Sequence, residues 1–113
     1  MTDPGEASIA TVYAVFVTDE EARRIARIVV EERLAACANI LASCHSIYRW
    51  HGAIEEAAEV PAIFKTTAAG AEPLIARIAE LHSYDVPAAV AWPIVGALAA
   101  YAEWIADASR ARE

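Results

Sequence analysis

What the chain lacks narrows its function first. There is no Gly-rich phosphate loop, no G-x-S-x-G, no H-E-x-x-H and no C-x-x-C. Without these enzyme signatures, the expectation is a protein that is not an enzyme. No basic run occurs, and 9 Lys and Arg stand against 16 Asp and Glu for a formal charge of −7. That balance argues against nucleic acid, whose phosphates favour a basic patch. It argues equally against an anionic membrane surface. No apolar stretch approaches about 18 uninterrupted residues, so no transmembrane helix is expected. No basic stretch followed by an apolar core opens the chain, so no signal peptide is expected and the cytoplasm is the expected location.

Cysteine is scarce too, with Cys37 and Cys44 alone. On one strand, seven residues place them about 23 Å apart and on opposite faces. A disulfide needs Cα atoms within about 7 Å, so no bridge is expected within a chain. That suits a reducing compartment.

Apolar residues are plentiful, at 58% of 113. That share is enough for one domain's core and leaves apolar surface over for a partner. Residues 1–8, MTDPGEAS, read as a loose tail before a single domain over 9–113. Ile9 to Val17 is short, apolar and rich in β-formers, the mark of a strand. Thr18 with Glu21 three residues on is a capping box, so a helix should start there and fade near Leu34 to Ala36. Cys37 to Trp50 reads as one long extended segment with a bend at Ser43-Cys44. Gly52 with Glu55-Glu56 marks a hairpin connection, and Glu59 to Thr67 returns as a strand. Pro61 suggests that the N-terminal part of that strand lies at an edge or a bulge. Pro73 suits the first turn of a second helix, striped by Leu74, Ile75, Ile78, Leu81 and His82. A strand over Ala88 to Val95 and a closing helix follow.

The order β-α-β-β-α-β plus a helix is that of an α+β, ferredoxin-like split βαβ sandwich. The first strand is apolar on both faces, with Ile9, Thr11, Tyr13, Val15 and Val17 on one and Ala10, Val12, Ala14 and Phe16 on the other. Helices cover one face of such a sheet. The other would be exposed in a monomer, so a closed symmetric oligomer is expected.

Several polar residues have two readings. His82 either packs in the last helical turn or serves as a metal ligand or acid-base group. Tyr84 and Asp85 follow where Val86-Pro87 leads out of the helix; they either satisfy a loop or form a polar corner with His82. Cys37 is either a small buried hydrophobe or a thiolate ligand for a soft metal. Lys65, inside an apolar strand, either guards an edge or pairs with Glu59 across an interface. His45 and His51 share a face about 20 Å apart and cannot chelate one ion within one chain.

The runs ERLAACANI (Glu32 to Ile40), SIYRWHGAIEE (Ser46 to Glu56), FKT (Phe64 to Thr66), ELHSYDVP (Glu80 to Pro87) and WPI (Trp92 to Ile94), with Tyr101-x-x-Trp104, resemble the CutA divalent-cation tolerance family. The resemblance implies a ferredoxin-like subunit in a compact homotrimer, similar in architecture to the PII signalling proteins. It implies copper or another divalent cation as ligand. Cys37 and His82 fall at motif positions suited to copper, and Glu59 is a weaker candidate. Trp50, Lys65, Tyr84 and Asp85 would line an intersubunit cleft. Ser83 stands where the family often has proline, and Ala53 where it often has lysine. Three rivals stay open: a PII-like small-molecule sensor, an enzyme using His82 and Asp85, and a trimer serving assembly alone.

Overall fold

Ile9–Phe16 forms β1, and its two flanks explain most of the fold. The chain continues as α1 (Asp19–Glu31), β2 (Cys37–Ile40), β3 (Cys44–Trp50), β4 (Ala53–Thr67), α2 (Ala71–Leu81), β5 (Ala89–Pro93) and α3 (Ala99–Ala108). The structure, a computed structural model, describes residues 8–110. Residues 1–7 of the expected tail lie outside the described residues. Ser8 is tied down, since its carbonyl accepts from the Ala68 amide at 3.1 Å.

The fold is α+β, with an antiparallel sheet in the order β2-β4-β1-β5 and β3 paired to β4 beyond it. β4 accounts for this arrangement. Its second half lies between β1 (Phe16 opposite Val60 to Ile9 opposite Thr67) and β2 (Cys37 opposite Lys65 to Ile40 opposite Ala62). Its first half pairs with β3 alone, from Cys44 opposite Glu59 to Trp50 opposite Ala53. A two-stranded ribbon therefore extends from the four-stranded sheet.

Two local expectations change here and a third holds. The segment from Cys37 to Trp50 is two strands, broken over residues 41–43. Glu55 and Glu56 lie inside β4; the hairpin turn is His51-Gly52, both at positive φ (49° and 81°). That is the backbone a two-residue hairpin loop demands. The expected bulge lies beside Pro61: between Ile40 opposite Ala62 and Cys44 opposite Glu59, residues 41–43 stand opposite Val60 and Pro61, so the register shifts by one, and Glu59 before it has β3 alone as neighbour. The Pro61 carbonyl accepts from Leu41 N at 3.0 Å, so its ring nitrogen faces the same side, where β2 ends. The ladder to β1 needs no N–H from it.

The Thr18 cap forms as expected: its Oγ1 accepts from Glu21 N at 3.1 Å. The return bond reaches one residue further back, with Val17 N donating to Glu21 Oε1 at 3.1 Å. At its other end α1 closes in a Schellman motif, with Leu34 N on Val29 O (2.9 Å) and Arg33 N on Val30 O (3.0 Å). Arg33 takes the left-handed position, φ 63°, where glycine is usual. Its guanidinium donates to the carbonyls of Asp107 (2.8 Å) and Arg110 (2.7 Å) at the end of α3. One residue thus ends α1 and caps α3.

α1 and α2 cover one face of the sheet. Val12, Ala14, Phe16, Ala62 and Phe64 are buried there with Ala22, Ile25, Val29, Leu74 and Ile78. A bidentate pair, Arg77 to Glu32 at 2.8 Å for both bonds, ties the helices together. The second face is not wholly open, contrary to expectation. α3 crosses one end of it, where Ile105 packs with Ile9 and Ala36, and Thr11 and Val15 are buried too. What stays open is the β5 flank, with Val90 51% and Trp92 45% exposed. Among the described residues no helix is long and apolar enough to cross a membrane.

Arg33→Gly should separate the two jobs of that residue. Glycine suits the left-handed backbone, so α1 should hold. α3 loses two charge-assisted bonds, and its amides should exchange about tenfold faster. Residue-resolved hydrogen exchange over 99–108 checks this; unchanged exchange there would contradict the capping role.

Candidate functional site

The sheet sorts the candidate residues into two places. Cys37 opens β2 and sits opposite Lys65. Its Sγ lies 3.6 Å from the Tyr101 hydroxyl of α3. That bond, then burial, raises the Tyr101 phenol above its ordinary value. Lys65 Nζ donates to Asn39 Oδ1 at 3.4 Å. Cys37, Lys65 and Tyr101 thus form one polar spot on the second face. Both cysteines are free.

His82 lies elsewhere. It ends α2 in extended conformation and is buried, at 8% exposure. Its ring stacks on Phe16 with centroids 5.1 Å apart. Nε2 is 2.7 Å from Val15 O, and Nδ1 is 3.0 Å from Tyr84 N. A carbonyl only accepts and an amide only donates, so the partners set the tautomer: Nε2 carries the hydrogen and Nδ1 accepts. Both ring nitrogens are therefore engaged. Along β1, Thr11 and Val15 mark the levels of Cys37 and His82, about 13 Å apart, and β2 is two strands from β1. One chain does not bring Cys37 and His82 to a common ion. Among the described residues, no three His, Cys, Asp or Glu side chains are grouped to hold a metal.

Glu59 belongs with the expected cleft residues. It is buried, at 8% exposure, and its Oε2 accepts from the Tyr84 hydroxyl at 2.8 Å. That bond, followed by burial and the charge of Glu59, pushes the Tyr84 phenol from 10.0 up to about 12. Beside the pair runs a groove of about 510 Å³ between the ribbon and residues 84–88. Trp50, Glu59, Tyr84 and Asp85 line it, with Ser46, Tyr48, Arg49, Glu55, Val15, Val86 and Ala88. Lys65 and Cys37 do not. Tyr48, Arg49 and Glu55 were not singled out from the sequence. The signal for Tyr48 was present, because Ser46, Tyr48 and Trp50 alternate onto one face of the ribbon.

A residue outside the groove holds its loop. Glu21 Oε2 accepts from Ser83 N at 3.0 Å, while Oε1 holds Val17 N. Burial pushes the Glu21 carboxyl up. The hydrogen bonds from the Ser83 side chain and the Val17 and Ser83 amides outweigh it and hold it below its usual 4.5. Serine at position 83 thus supplies an amide and a hydroxyl where proline would supply neither.

An antiparallel α+β sandwich with two covering helices, a third across its back and a projecting ribbon defines the class: a split βαβ protein with a groove beside its ribbon. The comparisons with known proteins carry this to a family. The profile described as "CutA1 divalent ion tolerance protein" matches residues 10–108, and this chain belongs to that family. The "Divalent-cation tolerance protein CutA" of Thermus thermophilus is 43% identical over 90 residues, covering 80% of this chain and 87% of that one. The "Protein CutA, chloroplastic" of Arabidopsis thaliana is 36% identical over 99 residues, which cover 88% of this chain; the match spans 54% of that longer relative. Among solved structures, the Thermus thermophilus divalent cation tolerance protein has a TM-score of 0.84 at 40% identity, covering 88% of this chain and 96% of that one. The Archaeoglobus fulgidus protein, described as periplasmic, has a TM-score of 0.87 at 33% identity, covering 90% and 99%. The family's description names ion tolerance and no reaction.

Two titrations follow from these bonds. Tyr84 has a raised folded pKa, so the stabilisation from its bond to Glu59 is complete below pH 10 and lost as pH climbs through about 12. In Glu59→Gln, the Tyr84 resonance followed by NMR should titrate back toward 10.0; an unchanged midpoint would contradict the assignment. Glu21 has a depressed folded pKa, so its contribution is complete above pH 4.5 and lost as pH falls below it. Glu21→Gln should flatten the acid limb of stability measured by urea unfolding; an acid limb as steep as the native one would contradict it.

Proposed function

We propose that the chain serves divalent-cation tolerance as a cytoplasmic homotrimer that binds divalent cation, copper first, at sites completed between subunits. Membership of the CutA1 family carries the reading. The donor chemistry supports it: thiolate and imidazole suit copper, which tops the divalent affinity series. The separation of Cys37 from His82 and Glu59 supports a site built from more than one chain. In this reading the copper competes with the Tyr84 amide for the Nδ1 lone pair of His82. The open β5 flank, with Tyr101 (39%) and Trp104 (47%) also exposed, supports assembly. The free cysteines suit a reducing compartment, and the net charge of −7 speaks against nucleic-acid or membrane partners.

A second reading, a PII-like small-molecule sensor, is favoured by the groove itself. Its volume of about 510 Å³ is that of a small-molecule site.

Native mass spectrometry of chelator-stripped protein tests the first reading. The expected result is a mass of three chains that takes up one copper per subunit from stoichiometric Cu(II). Cys37→Ser should keep the trimer and lose the copper. A monomer, or equal uptake by the variant, would overturn it.

A further inference from the structure

Glu59 is a mostly buried residue whose Oε2 is bonded; no buried side-chain oxygen among the described residues lacks a partner, so its other oxygen, Oε1, is open to solvent. The one hydrogen bond of Glu59 among the described residues comes from the Tyr84 hydroxyl. None of the ion pairs there reaches Glu59, Glu55 or Asp85. Buried charges are normally matched by a cation, because desolvation otherwise disfavours the charged form. The groove that Glu59 lines contains those three carboxylates and one cation, Arg49. An anionic ligand would meet that excess of negative charge. A wholly apolar one would leave the Glu59 carboxylate without a counterion.

The missing partner has a shape as well as a charge. The three carboxylates are not grouped to hold a metal ion, so a bare cation does not use them together. Trp50, 44% exposed, and Tyr84 offer aromatic surface on the same groove. Aromatic faces attract ammonium groups and pack against apolar bodies. We infer that the groove binds a small organic cation, an ammonium on an apolar or aromatic body, with its charge on Glu59 and its body against Trp50. The Tyr84 hydroxyl keeps donating to the far carboxylate oxygen, which leaves Oε1 for the ammonium. This inference rests on the small-molecule reading of the groove and is independent of copper.

Calorimetric titration of the full-length protein, in its native assembly and free of metal, tests it with three probes of one shape. These are 2-phenylethylamine, 2-phenylethanol and 3-phenylpropanoate. The amine should bind saturably, with the alcohol and the acid at least about tenfold weaker. Glu59→Gln, which keeps an acceptor for Tyr84, and Trp50→Ala, at an exposed position, should each weaken the amine about tenfold. Circular dichroism and mass confirm that both variants fold and assemble. Cys37→Ser should bind the amine like the native protein, which separates this site from the copper reading. The inference is overturned if the amine gives no saturable heat, as when a neighbouring subunit's own cationic side chain fills the groove. It is overturned too if the alcohol binds as well, or if both groove variants match the native protein.

Discussion

The pairing of β4 is the constraint from which the rest of the molecule follows. Fifteen residues run unbroken from Ala53 to Thr67, but their partners change at Val60. Beyond that point the strand has neighbours on both sides and its alternate residues, Val60, Ala62 and Phe64, are buried. Before it the strand has β3 alone, and Ile54 and Ile47 remain exposed. A two-stranded ribbon gains little stability by itself. This one is held by continuity with the sheet and by Glu59 at the junction, where Tyr84 ties β4 to the loop after α2. The groove exists because the ribbon projects past that loop.

The same pairing separates the candidate donors. Cys37 is fixed opposite Lys65 at one end of β4, and Glu59 lies six residues away along the strand, about 20 Å at strand rise. His82 sits behind the groove with both ring nitrogens engaged. A cation that uses Cys37 with either of the others needs a second chain. The open apolar surface of β5 and the ribbon makes that demand consistent with the packing. Each chain leaves uncovered the surfaces that copies in a closed assembly would bury.

Features set by near neighbours were legible in the sequence. Thr18 and Glu21 marked the first helix because capping acts over three residues, and the unbroken apolar run of β1 marked a two-faced strand. The family resemblance in ERLAACANI and ELHSYDVP was borne out. Features set by distant neighbours were not legible. Pro61 did mark the bulge and the one-sided pairing before it, but which strand stood on which side has meaning only once the neighbours are known. Gly52 marked the hairpin, but Glu55 and Glu56 suggested a longer connection than the two-residue turn that the positive φ of His51 and Gly52 makes before β4 starts at Ala53. The cleft residues Trp50, Tyr84 and Asp85 did come together with Glu59, whereas Lys65 went with Cys37. Register across β4 decides that division, and spacing along the chain carries no trace of it.

The proposed homotrimer makes one chain an incomplete unit, finished by its copies. Small-angle X-ray scattering tests it most directly, over a range of concentrations. The single chain has a radius of gyration of 14.9 Å. Three copies of the 113-residue chain packed compactly would give about 20 Å. The larger value, independent of dilution through the micromolar range, is expected of the trimer. A value that stays near that of the single chain would contradict it.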